Sequence, residues 1–184
     1  METTHTPQAY ADRKVWFSMW FLGAIVTFGA AFFPMFYRLI EGRNKHLANE
    51  AKIEEQVAAH LKQTGKEQPA TSPRFKPINS KAWATSIILI IPAFIIIYRL
   101  AKDLATHERN EDAFLASALP QRVFMPQTIP QTTYLLITIV TLGVGGVYWL
   151  YKIANLYNAH YKADLQVQKE IAHLMEEHRA VEHM

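Results

Sequence analysis

A chain of 184 residues has room for one small domain, and half of its residues are hydrophobic while 19% are charged. Mean hydropathy is nonetheless near zero, at -0.03, so the apolar residues are gathered into blocks separated by polar segments. A net charge of +3, spread along the chain, excludes a nucleic-acid binder of the usual basic kind, and the lack of cysteine excludes disulfides and thiolate metal sites.

Residues 1–14 form a polar tail without the basic-then-apolar pattern of a secretory signal, so the first apolar run is expected to be retained. Residues 15–37 carry no charge and read as a first transmembrane helix, with Trp16 and Trp20 near one end and Tyr37 near the other. Gly23, Thr27 and Ala31 fall four apart and make a small-residue stripe suited to helix packing. Pro34 is expected to kink this helix. Residues 38–64 keep a helical period, with Ile53, Val57 and Leu61 recurring every four positions, and read as a cytoplasmic extension. Residues 65–81 are a proline-containing linker.

The second uncharged run, residues 82–98, is short for a crossing and reads as a second transmembrane helix or, alternatively, a buried or re-entrant segment that Pro92 bends. Residues 99–131 then form an external loop. Residues 132–151 read as a third transmembrane helix, with Thr141, Gly143, Gly145 and Gly146 as its small-residue face. Residues 152–184 continue as a cytoplasmic C-terminal helix whose seam is Val167, Ile171 and Leu174.

An internal repeat organises these elements. Ile25-Val26-Thr27-Phe28-Gly29 leads to Tyr37-Arg38 and then Asn44-Lys45-His46; Ile139-Val140-Thr141-Leu142-Gly143 leads to Tyr151-Lys152 and then Asn158-Ala159-His160. A fainter echo is Tyr98-Arg99, with His107 at the same distance beyond the tyrosine. Tyr37, Arg38, Tyr98, Arg99, Tyr151 and Lys152 are read as lipid-interface anchors.

Lysine and arginine number two before the first run, nine between the first and second, four between the second and third, and four after the third. Positive-inside counting therefore predicts a cell-membrane protein of the multi-pass kind, with the N-terminus outside and the C-terminus cytoplasmic. That topology places His46 and His160 on one side and His107 on the other, so the three cannot converge. His46 and His160 could meet as a metal pair, but polar residues at a headgroup boundary are the plainer account, and no cofactor is expected. The apolar cores contain no ionisable residue, and the chain has no phosphate-binding loop, dinucleotide fingerprint, zinc-protease motif or nucleophile elbow.

The segment Thr141-Leu-Gly-Val-Gly-Gly-Val-Tyr-Trp-Leu-Tyr-Lys152, followed by Asn158, resembles the signature of a family of small prokaryotic integral membrane proteins known only as a domain of unknown function. The resemblance implies a prokaryotic cell membrane and a helical architecture, with no catalytic residues to carry over. The expected fold is therefore an all-α membrane protein of three transmembrane helices, the first and third forming the repeat.

The expected function is a non-enzymatic scaffold or accessory subunit, its partners being membrane lipids and other complex subunits or a second copy of itself, and not nucleic acid. Two alternatives differ in class. One is an oligomeric channel or transporter lined by Thr27, Thr141, Asn44 and Asn158. The other is a subunit of a membrane oxidoreductase that contributes His46 and His160 to a site completed by another chain.

Overall fold

The computed structural model describes residues 14–63, 74–118 and 129–182, with side chains beyond His173 left undescribed. The N-terminal tail up to residue 13, the first part of the linker, residues 119–128 of the proposed external loop and the side chain of Leu174 lie outside the described residues.

Each apolar run is broken near its middle, and the physical reason is local. Helix α1 (Phe17–Val26) stops where Gly29 donates its N–H to Ala24 O and Phe28 donates to Ile25 O, the paired bonds of a Schellman stop. Phe28 and Gly29 have φ of 51° and 93°, so the chain turns back and restarts as α2 (Phe32–Gln63). The same turn recurs where α5 (Gln131–Val140) meets α6 (Val144–Glu182): Gly143 donates to Thr138 O, and Leu142 and Gly143 have φ of 50° and 100°. Between them α3 (Ser80–Ser86) and a short 3₁₀ turn (Ile87–Leu89) reach Ile90, with φ of 61°, before α4 (Ile91–Ala118).

The repeated Thr-apolar-Gly is therefore a turn code. Thr27 Oγ1 donates to Gly23 O and accepts from the N–H of Ala31; Thr141 Oγ1 donates to Ile137 O and accepts from the N–H of Gly145. One hydroxyl closes the old helix and satisfies an orphan donor of the new one.

These turns overturn the three-span reading. Among the described residues no helix is long and apolar enough to cross a membrane. Helices α1 and α5 have 10 residues each, while the long helices spend most of their length on charged sequence. The transmembrane assignments of residues 15–37, 82–98 and 132–151, the multi-pass localisation and the topology drawn from them all fall with this observation. Pro34 and Pro92 kink nothing. Each lies in the first turn of a new helix, where a missing N–H leaves no bond unmade.

The architecture is three helical hairpins, each a short apolar arm, a tight turn and a long arm. The long arms α2, α4 and α6 pack as a parallel bundle, because their side chains meet in the same order along all three. Met35, Ile96 and Trp149 are buried in one apolar cluster, as are Leu39, Leu100 and Ile153 further on. Beyond the middle of the bundle Val57, Phe114 and Ile171 form a second cluster, flanked by Ile53, Leu115 and Val167. The apolar seam expected between two helices is thus shared by a third helix, α4.

The small residues close the hairpins. A Cβ on Gly23 would stand 3.4 Å from Ala31 Cβ, and one on Gly145 would meet Ile137 Cγ2 at 2.7 Å. Gly146 and Gly143 accommodate the Phe94 ring from α4, which a Cβ on Gly146 would meet at 2.3 Å.

The Asn of the Asn-x-His repeat joins one hairpin to the next. Asn158 on α6 accepts from Val15 N–H at 2.9 Å and donates to Val15 O at 2.8 Å, fixing the entry of the first hairpin. Asn44 on α2 does the same for Ile78, at 3.0 and 2.7 Å, fixing the entry of the second. Position 105 on α4, the counterpart, is Ala.

Candidate metal centre

A parallel bundle brings equal heights together. His46, His107 and His160 each follow their Tyr by the same interval, so they arrive at one layer of the core. His46 Nε2 lies 3.0 Å from His107 Nε2 and 2.8 Å from His160 Nε2. The three rings stand nearly perpendicular to one another, at 83°, 89° and 86°, like the blades of a propeller. All three are buried. The expectation that topology forbids their convergence is wrong, because that topology required helices long and apolar enough to cross a membrane, and there are none among the described residues.

Four residues beyond each His, one helical turn along, stands an acid: Glu50, Glu111 and Asp164. The sequence reading missed them, although the signal was present as His-x-x-x-acid in three copies. The carboxylates surround the rings. Asp164 Oδ2 lies 3.6 Å from His46 Nδ1, and Glu108 Oε1 lies 3.4 Å from His160 Nδ1. Glu111 Oε2 lies 3.7 Å from His107 Nε2. Gln168 Nε2 donates to Glu50 Oε1 and to both oxygens of Asp164, at 3.1, 2.8 and 2.9 Å.

On the opposite side Arg43 seals the layer. It pairs with Asp103 at 2.7 Å and donates to Lys76 O at 2.9 Å, while Phe75 lies against both Arg43 and His107. A cleft of about 710 Å³ opens beside the site, with Glu50, His107, Arg43, Arg74 and Phe75 in its wall. Of the three imidazoles, His107 borders this cleft.

Burial sets the protonation of this cluster. Desolvation, with His160 and Arg43 adding repulsion, holds His107 down at about 3, so that it is neutral. Desolvation, reinforced by Asp164, Glu108 and Glu54, pushes Glu111 up to about 7. Glu50 is raised well above the usual carboxylate range by burial and then by Asp164 and Glu111. For His160, burial pulls down, but the pairing with Glu108 and the charges of Glu111 and Asp164 outweigh it, and the net shift is upward.

The sign of the resulting pH dependence follows from linkage. His107 takes up fewer protons folded than unfolded, so its contribution is complete above pH 6.5 and is lost as pH falls toward about 3. Glu111 holds its proton longer when folded, so its contribution is complete below pH 4.5 and is lost as pH rises to about 7. Between pH 4.5 and 6.5 the two slopes oppose each other. Glu50, also raised, adds to the Glu111 slope, so urea unfolding in the presence of chelator should show greatest stability near pH 4.5, a decline across that window and a steeper one above pH 6.5, where His160, raised as well, joins them.

No family model, no curated protein and no solved structure matches the chain. Its function must be read from these residues.

Proposed function

We propose that the protein binds a first-row divalent transition-metal ion between His46, His107 and His160. The observation that carries this reading is the convergence of three buried Nε2 atoms on one point. Two of the six side chains in these layers, His46 and His160, were weak metal candidates from sequence; His107 supplies the third ligand from within the same chain.

Three support lines follow from chemistry. Imidazole nitrogens suit zinc, copper, iron and nickel, and a tri-histidine set leaves a coordination position open. Nitrogens bound to one tetrahedral ion at about 2.0–2.1 Å are separated by roughly 3.3 Å, so the His46–His107 and His46–His160 spacings need an expansion of only a few tenths of an ångström. Asp164 and Glu108 approach the Nδ1 edges of His46 and His160, as carboxylates do where they orient ligating histidines and raise their basicity.

The charge balance points the same way. Glu50, Glu108, Glu111 and Asp164 are gathered in and around a buried layer, and a dication is what such a cluster lacks. Glu111 is the side chain best placed to become a fourth ligand. With the ion in place it gives up its proton, and metal binding is accordingly accompanied by proton release. Of the alternatives read from sequence, the oxidoreductase reading shares His46 and His160 with this one but no longer needs a second chain to complete the site.

The test is direct. Cobalt(II) added to the chelator-treated protein should give one equivalent of binding and visible d–d absorption of a four-coordinate ion, and the His107→Ala protein should give neither. Absence of stoichiometric binding for cobalt, zinc and iron(II) in the wild-type chain would falsify the reading.

A further inference from the structure

We infer that the three hairpin tips insert into one leaflet of an anionic lipid bilayer, so that the protein docks on a membrane surface from one side without crossing it. This inference is independent of the metal centre.

The first observation is where the apolar surface lies. The parallel bundle puts all three turns at the same end. Phe28, Ile90 and Leu142 at those turns are 101%, 66% and 95% exposed, and Val26, Ile88, Leu89, Ile91, Ile139, Val140 and Val144 beside them are exposed as well. Scattered exposed hydrophobics are ordinary, but a contiguous apolar end is an interaction surface.

Backbone strain is the second observation. Phe28, Ile90 and Leu142 sit at φ of 51°, 61° and 50°, a region where a bulky or β-branched residue is disfavoured and Gly or Asn would be easier. None of the three is buried, so packing inside the chain does not reward the bulk. A contact outside the chain does.

Charge and depth then select the partner. From Lys14 to Ile40, Arg74 to Lys102 and Ile129 to Ala163 there is no Asp or Glu, while these stretches carry Lys14, Arg38, Arg74, Lys76, Lys81, Arg99, Lys102, Lys152 and Lys162. The acids begin only at Glu41, Asp103 and Asp164, further along each long arm. The first charges back from the tips along the arms, Arg38, Lys81, Arg99 and Lys152, are all basic, which matches anionic headgroups. Trp16, Tyr98, Tyr148 and Tyr151 are exposed along the arms, where aromatic rings favour the headgroup level. The short arms have 10 residues in α1 and in α5, or about 15 Å of helix, which is half of a hydrocarbon core of about 30 Å. The hairpins are deep enough for one leaflet and too short for two.

The experiment uses the full chain, diluted from mild detergent onto phosphatidylcholine vesicles with or without about one quarter phosphatidylglycerol. Wild-type protein should float with the vesicles, more strongly with phosphatidylglycerol, and its tryptophan fluorescence should be quenched by lipids brominated in the acyl chain. The triple variant Phe28→Asn, Ile90→Asn, Leu142→Asn should lose vesicle affinity by roughly a hundredfold or more. Because Asn eases a positive φ at positions 28 and 142 and is less bulky than the Ile already held at φ 61°, ψ -55° at position 90, the variant should keep its helical circular dichroism and its cobalt binding. The inference is overturned if the wild type ignores vesicles, if the triple variant binds them unchanged, if the tips instead hold two copies together in solution, or if a probe at residue 28 is reached from inside sealed vesicles.

Discussion

Zinc or cobalt at a hundred times its dissociation constant should raise the melting temperature of the chelator-treated protein by about 5–10 °C. A ligand that binds only the folded state adds about 2.7 kcal/mol at that ratio, and for a chain of this size each kcal/mol moves the midpoint by roughly 2–4 °C. The unfolded chain cannot reproduce the site, because His46, His107 and His160 come from three different helices at separations of 61 and 114 positions. The His107→Ala protein should melt at one temperature with or without metal. Asp164→Asn is the finer probe: it leaves all three Nε2 atoms in place and removes the carboxylate behind His46. Loss of such a partner lowers metal affinity about 10–100-fold, so at the same metal concentration its shift should shrink to about half or less. A wild-type midpoint indifferent to metal, or a His107→Ala midpoint that responds equally, defeats the tri-histidine reading.

How much of this centre was visible in the sequence turns on one inference about length. The equal interval from Tyr37 to His46, Tyr98 to His107 and Tyr151 to His160 is a statement of equal height on three helices, and it needs no structure to notice. Equal height becomes contact only if the helices run parallel. Reading three uncharged runs as crossings forces the middle one to run the other way, and His107 is then sent to the opposite side. The signal against a crossing lay in Thr27-Phe28-Gly29 and Thr141-Leu142-Gly143, where Gly stands one place after the left-handed residue of the stop and itself takes a positive φ. The second hairpin offers less, since Ile87 to Ile91 is uniformly apolar and only Pro92 hints that a new helix begins there. Periodicity alone located the long arms and the outer seam of Val57, Leu61 and Ile171. It could not show that α4 joins them through Phe114, because the apolar period of α4 is diluted by His107, Glu108 and Glu111, the residues that build the site.

That dilution leads to a second large effect. In the register of the histidines the bundle reads as a ladder: Met35 with Ile96 and Trp149, Leu39 with Leu100 and Ile153, Arg43 with Leu104 and Tyr157, then the histidine layer, then Glu50 with Glu111 and Asp164, then Ile53 with Phe114 and Val167. Two rungs that would be apolar in a bundle built for stability alone are polar in all three helices. Buried ionisable groups without a counter-ion cost folding free energy, as the protonation of Glu111 near pH 7 already indicates. Replacing His46, His107, His160, Glu50, Glu108, Glu111 and Asp164 together by Leu should therefore stabilise the metal-free bundle, by about 1–4 kcal/mol, while abolishing metal binding. All seven must change at once, because removing the histidines alone leaves the buried carboxylates Glu50, Glu108, Glu111 and Asp164 together without the imidazoles they face. Urea unfolding of both proteins in chelator gives the comparison. Greater stability in the Leu protein, with the same helical content and no new oligomer, means the polar rungs exist for a ligand at the expense of the fold. Greater stability accompanied by slipped or mixed assemblies assigns them instead to fixing the register of three parallel helices, as single polar core positions do in coiled coils. Lower stability would mean that the imidazole and carboxylate layers hold the bundle together without any ion, and the argument for a metal from buried polarity would fail.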